Sequence, residues 1–337
     1  MPLFLLALLL LFAHCGAVSA SVGSGETRGE AIYYGYISDI KELSPEQRRE
    51  YLAEERSSLE AVFEEYASVT EGFEAGTVIY EEYSAFLQEY YVARDRERVL
   101  DDVEAYVGYV ERKGCEVIYN TGYERFFSLG TDWLLFAALV FLPIGIFTLE
   151  YRSGNCAQII KTSKKGRKET FFAKFLPYCA IGALSGGAFR VSGMLVTAKN
   201  YELSDFSASL CSIRNFESVP VGVTIGEYLI TDLVCACLTG MMIAGAVCMI
   251  SCIFKKALHC LGAVGITLAL PALLSDSGFA LVNLTAPDGV FNTSYKHGAS
   301  VFLILQIIHI IVISTFTLFA YSRYTGNKIL KKEKRYG

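Results

Sequence analysis

Six apolar runs in a chain of 337 residues decide what it can fold into. A helix needs roughly 20 apolar residues to cross a bilayer, because lipid offers no partner to its backbone N–H and C=O groups. The runs are 2–20, 133–149, 171–197, 221–254, 258–274 and 299–321. The second and fifth lie at the short end of the range, and the fourth is long enough to tilt or to lie partly in the interface. Between the first two runs stand more than a hundred residues rich in charge. Residues 21–131 hold 24 Asp and Glu against 11 Lys and Arg, whereas the rest of the chain holds 11 acidic and 19 basic residues. An acidic soluble segment is therefore set into a basic membrane protein. Nucleic-acid binding is excluded as a reading, since the basic residues flank apolar runs rather than forming a folded basic face.

The first run reads two ways. Its apolar stretch followed by Val18-Ser19-Ala20 suits either a retained span or a cleaved signal-like segment, although the basic flank of a signal is missing. Both readings put residues 21–131 outside. Lys and Arg collect in cytoplasmic loops. Here they crowd into 150–170, into Lys255-Lys256, and into a tail from Arg323 to Arg335, while 276–298 holds Lys296 alone. Six spans put all three basic intervals on one side. The expected layout is all-α: a six-span helical bundle in the plasma membrane with both termini cytoplasmic. Residues 1–20 form span 1 or the signal-like segment, and 21–131 form an acidic helical extracellular domain. Residues 132–323 hold spans 2–6 with the basic loop 150–170, and 324–337 form a basic cytoplasmic tail. Further outer loops fall near 198–220 and 276–298.

The outer segment reads as a small bundle of long amphipathic helices. Ser44 caps a helix with Pro45 in its first position and Gln47 reaching back. Leu52, Leu59, Val62, Phe63 and Tyr66 form a stripe, a break follows at Gly72 and Gly76, and two further apolar runs cover 80–91 and 99–110. Asn120-Thr121-Gly122-Tyr123 reads as a turn. The many tyrosines are expected to pack the bundle with their hydroxyls at its rim. The surplus acid reads as a solvated face, with attraction of a cationic peptide as the alternative.

No catalytic constellation emerges. The phosphate-binding loop, HExxH and G-x-S-x-G are missing, so the chain is not expected to be an enzyme or to hold a cofactor or metal. His14, His259, His297 and His309 are scattered and read as packed or interfacial. Ten cysteines form no C-x-x-C pair and mostly act as small apolar residues in spans. Cys115 and Cys211 both fall outside, so a disulfide between them is open to the chain. Charges inside spans are expensive in lipid. Arg190 is expected to pair with Asp232 or Glu227 between the third and fourth spans. Gly182 and Gly186 match the close-packing G-x-x-x-G pattern.

In the loop, Lys161, Lys164, Lys165 and Lys168 recur at i, i+3, i+4 and i+7, one stripe of a short amphipathic helix on the inner surface. Such a helix could bind anionic lipid or dock a protein. Glu150, Gly154, Gly166-Arg167 and Lys174, in that order and spacing, resemble the region between the second and third spans of ABC-2 type permeases. These are membrane subunits of ATP-binding-cassette transporters, and the similarity is to a Gram-positive bacterial branch with a helical outer domain after span 1. Segments 33–52, 76–83 and 119–123 resemble recurring pieces of that domain. The resemblance implies a coupling helix within Arg152–Lys168 that docks on a separate ATPase subunit, the ATP being bound by that partner. It further implies a permease homodimer or heterodimer. The substrate would be a hydrophobic or amphipathic small molecule, lipid or peptide, and would be exported. The alternative is a non-transporting receptor or immunity protein whose outer domain captures a peptide.

Overall fold

The computed structural model describes residues 2–23, 27–129, 166–254 and 256–266, together with 139, 147, 307, 311, 314–315 and 317–322; for 2–8 and 166–167 this covers the backbone alone. Among them every regular element is helical, apart from an isolated bridge between Ser209 and Thr224. The chain divides into two compact units. One comprises Met1–Ser21, Leu129–Val196 and Glu227–Gly337; the other comprises Val22–Ser128 and Thr197–Gly226.

The second unit is the acidic one, and it is larger than the sequence suggests. Four helices, α2 (Arg28–Ile40), α3 (Pro45–Glu74), α4 (Tyr80–Lys113) and α5 (Thr121–Phe127), combine with residues 197–226, expected to be a plain outer loop. The cap read from the sequence forms: the Gln47 N–H donates to Ser44 Oγ and Gln47 Oε1 accepts from the Ser44 N–H. Thr27 and Glu30 build the same reciprocal cap on α2, satisfying donors that the first helical turn leaves open. α4 is continuous where the sequence suggested two runs, since no Gly or Pro interrupts 92–98. It ends where Gly114 takes a left-handed conformation, φ 68°. Asn120 through Tyr123 do not form a plain turn either. They open α5, with Asn120 buried between the Tyr33 hydroxyl and Glu124.

Residues 197–226 earn their place through long-range contacts. Leu210, Ile213 and Phe216 are fully buried. The buried Tyr106 hydroxyl accepts from the Ile118 N–H and lies 3.0 Å from the Ser212 carbonyl; Tyr109 donates to the Cys211 carbonyl. Tyr123 donates to the Ser204 carbonyl. Burial pushes the phenols of Tyr33, Tyr106 and Tyr123 well above their ordinary value, so they act as neutral donors. Cys115 and Cys211, Cα atoms 6.6 Å apart, form a disulfide that closes a loop of 96 residues. A bridge across so long a loop contributes about 4–5 kcal/mol in the chain-entropy picture. Exposed ion pairs such as Arg56 with Glu104 and Asp101 add roughly 0–1 kcal/mol each, so burial and the bridge dominate.

The first unit holds α1 (Pro2–Val22), α6 (Gly166–Asn200), α7 (Ile225–Ile253) and α8 (Ala257–Val264). Two stretches, Lys168–Asn200 and Ile225–Ile253, are long and apolar enough to cross a membrane. Runs 133–149 and 299–321 lie largely outside the described residues, as do residues 267–274 of run 258–274. What is described of them gathers into shared cores: Phe147, Phe171, Phe175, Cys248, Cys252 and Ala320 in one, Val247, Ile250, Cys260 and Val264 in another. Cys248, Cys252 and Cys260, none of them in a disulfide, thus pack as small apolar side chains.

The bridge makes a countable prediction. Denatured without reductant, the protein should leave two of its ten cysteines unalkylated, and Cys115→Ser should free Cys211 for labelling and lower the thermal midpoint. Mass spectrometry of the alkylated chain checks it; full labelling of all ten without reductant would contradict the bridge.

Candidate functional site

The described part of the site is a polar step on the tightest helix seam of the first unit. Gly182 and Gly186 of α6 face Gly240 and Ala236 of α7, with the chains antiparallel. A Cβ on Gly182 would stand 2.5 Å from the Gly240 carbonyl oxygen, and one on Gly186 or Gly240 would collide with the facing carbonyl of Ala236 or Gly182. Backbone therefore meets backbone, the arrangement that small residues spaced by four permit. One turn further along each helix, at the next i+4 step, stand Arg190 and Asp232. Arg190 Nε donates to Asp232 Oδ2 at 2.5 Å.

This pair settles the choice the sequence left open. Asp232, 1% exposed, takes Arg190. Glu227 is exposed in the first turn of α7, where a carboxylate complements the positive end of the helix. Asp232 lies seven residues into α7, about 10 Å from its start along the axis. On the other side of α6, buried His14 of α1 places Nε2 3.1 Å from the Phe189 carbonyl, and its ring lies 4.6 Å from that of Phe189. The contact requires a proton on Nε2, so His14 is packed as a donor. Three helices thus carry polar groups to one level of the first unit, at residues 14, 189–190 and 232.

The basic loop meets the structure at its exit. Glu150, Arg152, Gly154, Lys161, Lys164 and Lys165 lie outside the described residues. Gly166, Arg167 and Lys168 are the first described residues of α6, and all three are helical. Lys174 lies one turn inward with Nζ 5.5 Å from the centre of the Phe147 ring, an arrangement that shields its charge against an aromatic face. Pro177 inside α6 passed unremarked in the sequence; it removes one helical hydrogen bond in a helix that continues through it. Compared with protein-family models, curated proteins and solved structures, the chain matches none.

Two measurements test this seam. Gly186→Ala or Gly240→Ala should cost about 1–3 kcal/mol by forcing the backbones apart, whereas Gly262→Ala, with open space around it, should be neutral. For the ion pair, Arg190→Gln strands a buried carboxylate and should cost about 3–5 kcal/mol. Asp232→Asn should cost less, since Arg190 remains 19% exposed and can reach polar surroundings. The double variant should recover part of the loss. Thermal unfolding in detergent of the full chain reads all six variants.

Proposed function

We infer that this chain is the membrane-spanning subunit of an ABC-2 type transporter, working as a homodimer or heterodimer with a separate ATPase subunit in a bacterial plasma membrane. The observation that carries the reading is the pairing of opposite chemistry at the two ends of α6. Its N-terminus continues a run of seven basic residues, from Arg152 to Lys174. Its C-terminus leads into 197–226, which carries a disulfide. Disulfides persist in oxidising compartments, and positive loops stay on the cytoplasmic side. Two unrelated rules therefore support the same orientation of one spanning helix. With the outer unit outside, loop 150–170 is accessible to a cytoplasmic ATPase.

Arg167 and Lys168, at the first described residues of α6, fit a basic loop retained for a partner. Their direct continuity with α6 gives a docked ATPase mechanical purchase on a span. Closure of two ATPases around ATP would displace the loop, and the tight α6–α7 seam would carry that displacement into α7 as one body. The transported solute would be hydrophobic or amphipathic, moving outward. Loop charges would govern the rate of docking more than its final strength.

Copurification separates this reading from a receptor without transport. The full chain should bring down a phosphate-loop ATPase, and alanines at Arg152, Lys161, Lys164 and Arg167 together should weaken that recovery at least several-fold while membrane insertion is retained. Undiminished recovery with the four alanines would remove the coupling assignment.

A further inference from the structure

The far half of the α3–α4 hairpin is built differently from the rest of its unit. α2 packs along the near half of α4, where Ala93, Leu100, Val103 and Tyr106 are buried; α3 contributes Leu52 and Leu59. Beyond Leu59 no residue from 60 to 92 is buried. The two helices continue for about 22 Å as a bare pair. An aromatic seam holds them: Tyr66 stacks on Tyr90 at 4.2 Å and Phe73 on Tyr83 at 4.5 Å. At the tip, Gly76 turns the chain in a left-handed conformation, φ 74°. There Phe73, Ile79 and Tyr80 are exposed by 36%, 62% and 70%. Large apolar side chains grouped at the end of an arm, with nothing among the described residues packed over them, mark an interaction surface.

Charge identifies the occupant. Residues 60–93 contain eight Glu and no Lys, Arg or Asp. Elsewhere in this unit several acids are matched: Glu55 with Arg96, Glu104 with Arg56, Glu111 with Arg49, Glu30 with Arg125. On the arm no ion pair occurs among the described residues. Glu71, Glu74, Glu81 and Glu82 rim the apolar tip. A second copy of this arm would be repelled, and so would an anionic lipid surface. A partner with its own apolar face and an excess of Lys or Arg satisfies both halves of the patch, its cations meeting the glutamates and the electron-rich ring faces. We propose that the tip of the α3–α4 arm is a binding site for short cationic amphipathic peptides. Binding does not rest on the transporter reading: a capture site of this kind functions with or without transport.

The test uses the full chain in nanodiscs of zwitterionic lipid, without ATPase or nucleotide, and a fluorescent amphipathic Leu/Lys peptide as probe. Wild type should bind, and the affinity should fall as salt rises. The variant E71Q/E74Q/E81Q/E82Q should lose roughly tenfold or more in affinity. A charge-matched variant off the arm, E42Q/E50Q/E54Q/E97Q, should stay within roughly twofold. I79S/Y80S should weaken binding and leave its salt dependence in place, separating the apolar half from the charge. All substituted residues except Glu97 are exposed, and unchanged helical circular dichroism certifies the fold. Equal losses in the arm and off-arm variants, undiminished binding in the arm variant, or equal affinity for a Leu/Glu peptide would each overturn the proposal. Failure to recover an ATPase would bear on the transporter reading alone.

Discussion

Everything in the first unit follows from how closely two helices approach. In lipid the hydrophobic effect does not drive helices together, so packing and polar contacts must do so. Gly182, Gly186, Ala236 and Gly240 remove the side chains that would hold α6 and α7 apart. The Arg190–Asp232 contact then sits on the same register, one turn beyond the glycines. A pair of charges in that setting costs less than either alone, because their attraction offsets part of the desolvation penalty. The seam thus fixes both the distance and the register of α6 against α7. Any force applied to the basic end of α6 meets a joint that resists sliding, since a shift would drive Cβ-bearing residues into facing backbone.

The second unit is held by a different principle. Its two sequence segments lie on either side of two apolar runs, and neither forms the core alone. Tyr106 and Tyr109 of α4 bond carbonyls of Ser212 and Cys211, and the disulfide joins Cys115 to Cys211 beside them. These contacts close the unit at its near end and leave the α3–α4 arm bare at the far end. An acidic, aromatic tip is thereby left exposed at the end of the arm.

Local chemistry was legible in the sequence; long-range closure was not. The Ser44 cap with Pro45 and Gln47 could be read because it depends on four consecutive residues. The α6 glycines could be read because their spacing of four is a packing signal in itself, although their partners Ala236 and Gly240 could not be named. Arg190 stood out as a charge in an apolar run, but only coordinates choose Asp232 over Glu227. Residues 197–226 read as a loop since Tyr201, Leu210, Ile213 and Phe216 follow neither a helical nor a strand period. Their burial comes from contacts more than a hundred residues away along the chain. α4 read as two runs because the charged stretch 94–98 masks the stripe, yet charge without Gly or Pro does not end a helix. Thr27 with Glu30 was the missed signal for α2: the same capping spacing as Ser44 with Gln47.

We propose that the basic loop preceding α6 docks a separate ATPase. A photo-crosslinking amino acid at position 164, in cells with the chain intact, addresses it directly. The account predicts a covalent adduct with a phosphate-loop ATPase from position 164, and none from position 77 at the arm tip. An ATPase adduct from position 77, or none from position 164 in cells that express the ATPase, would contradict it.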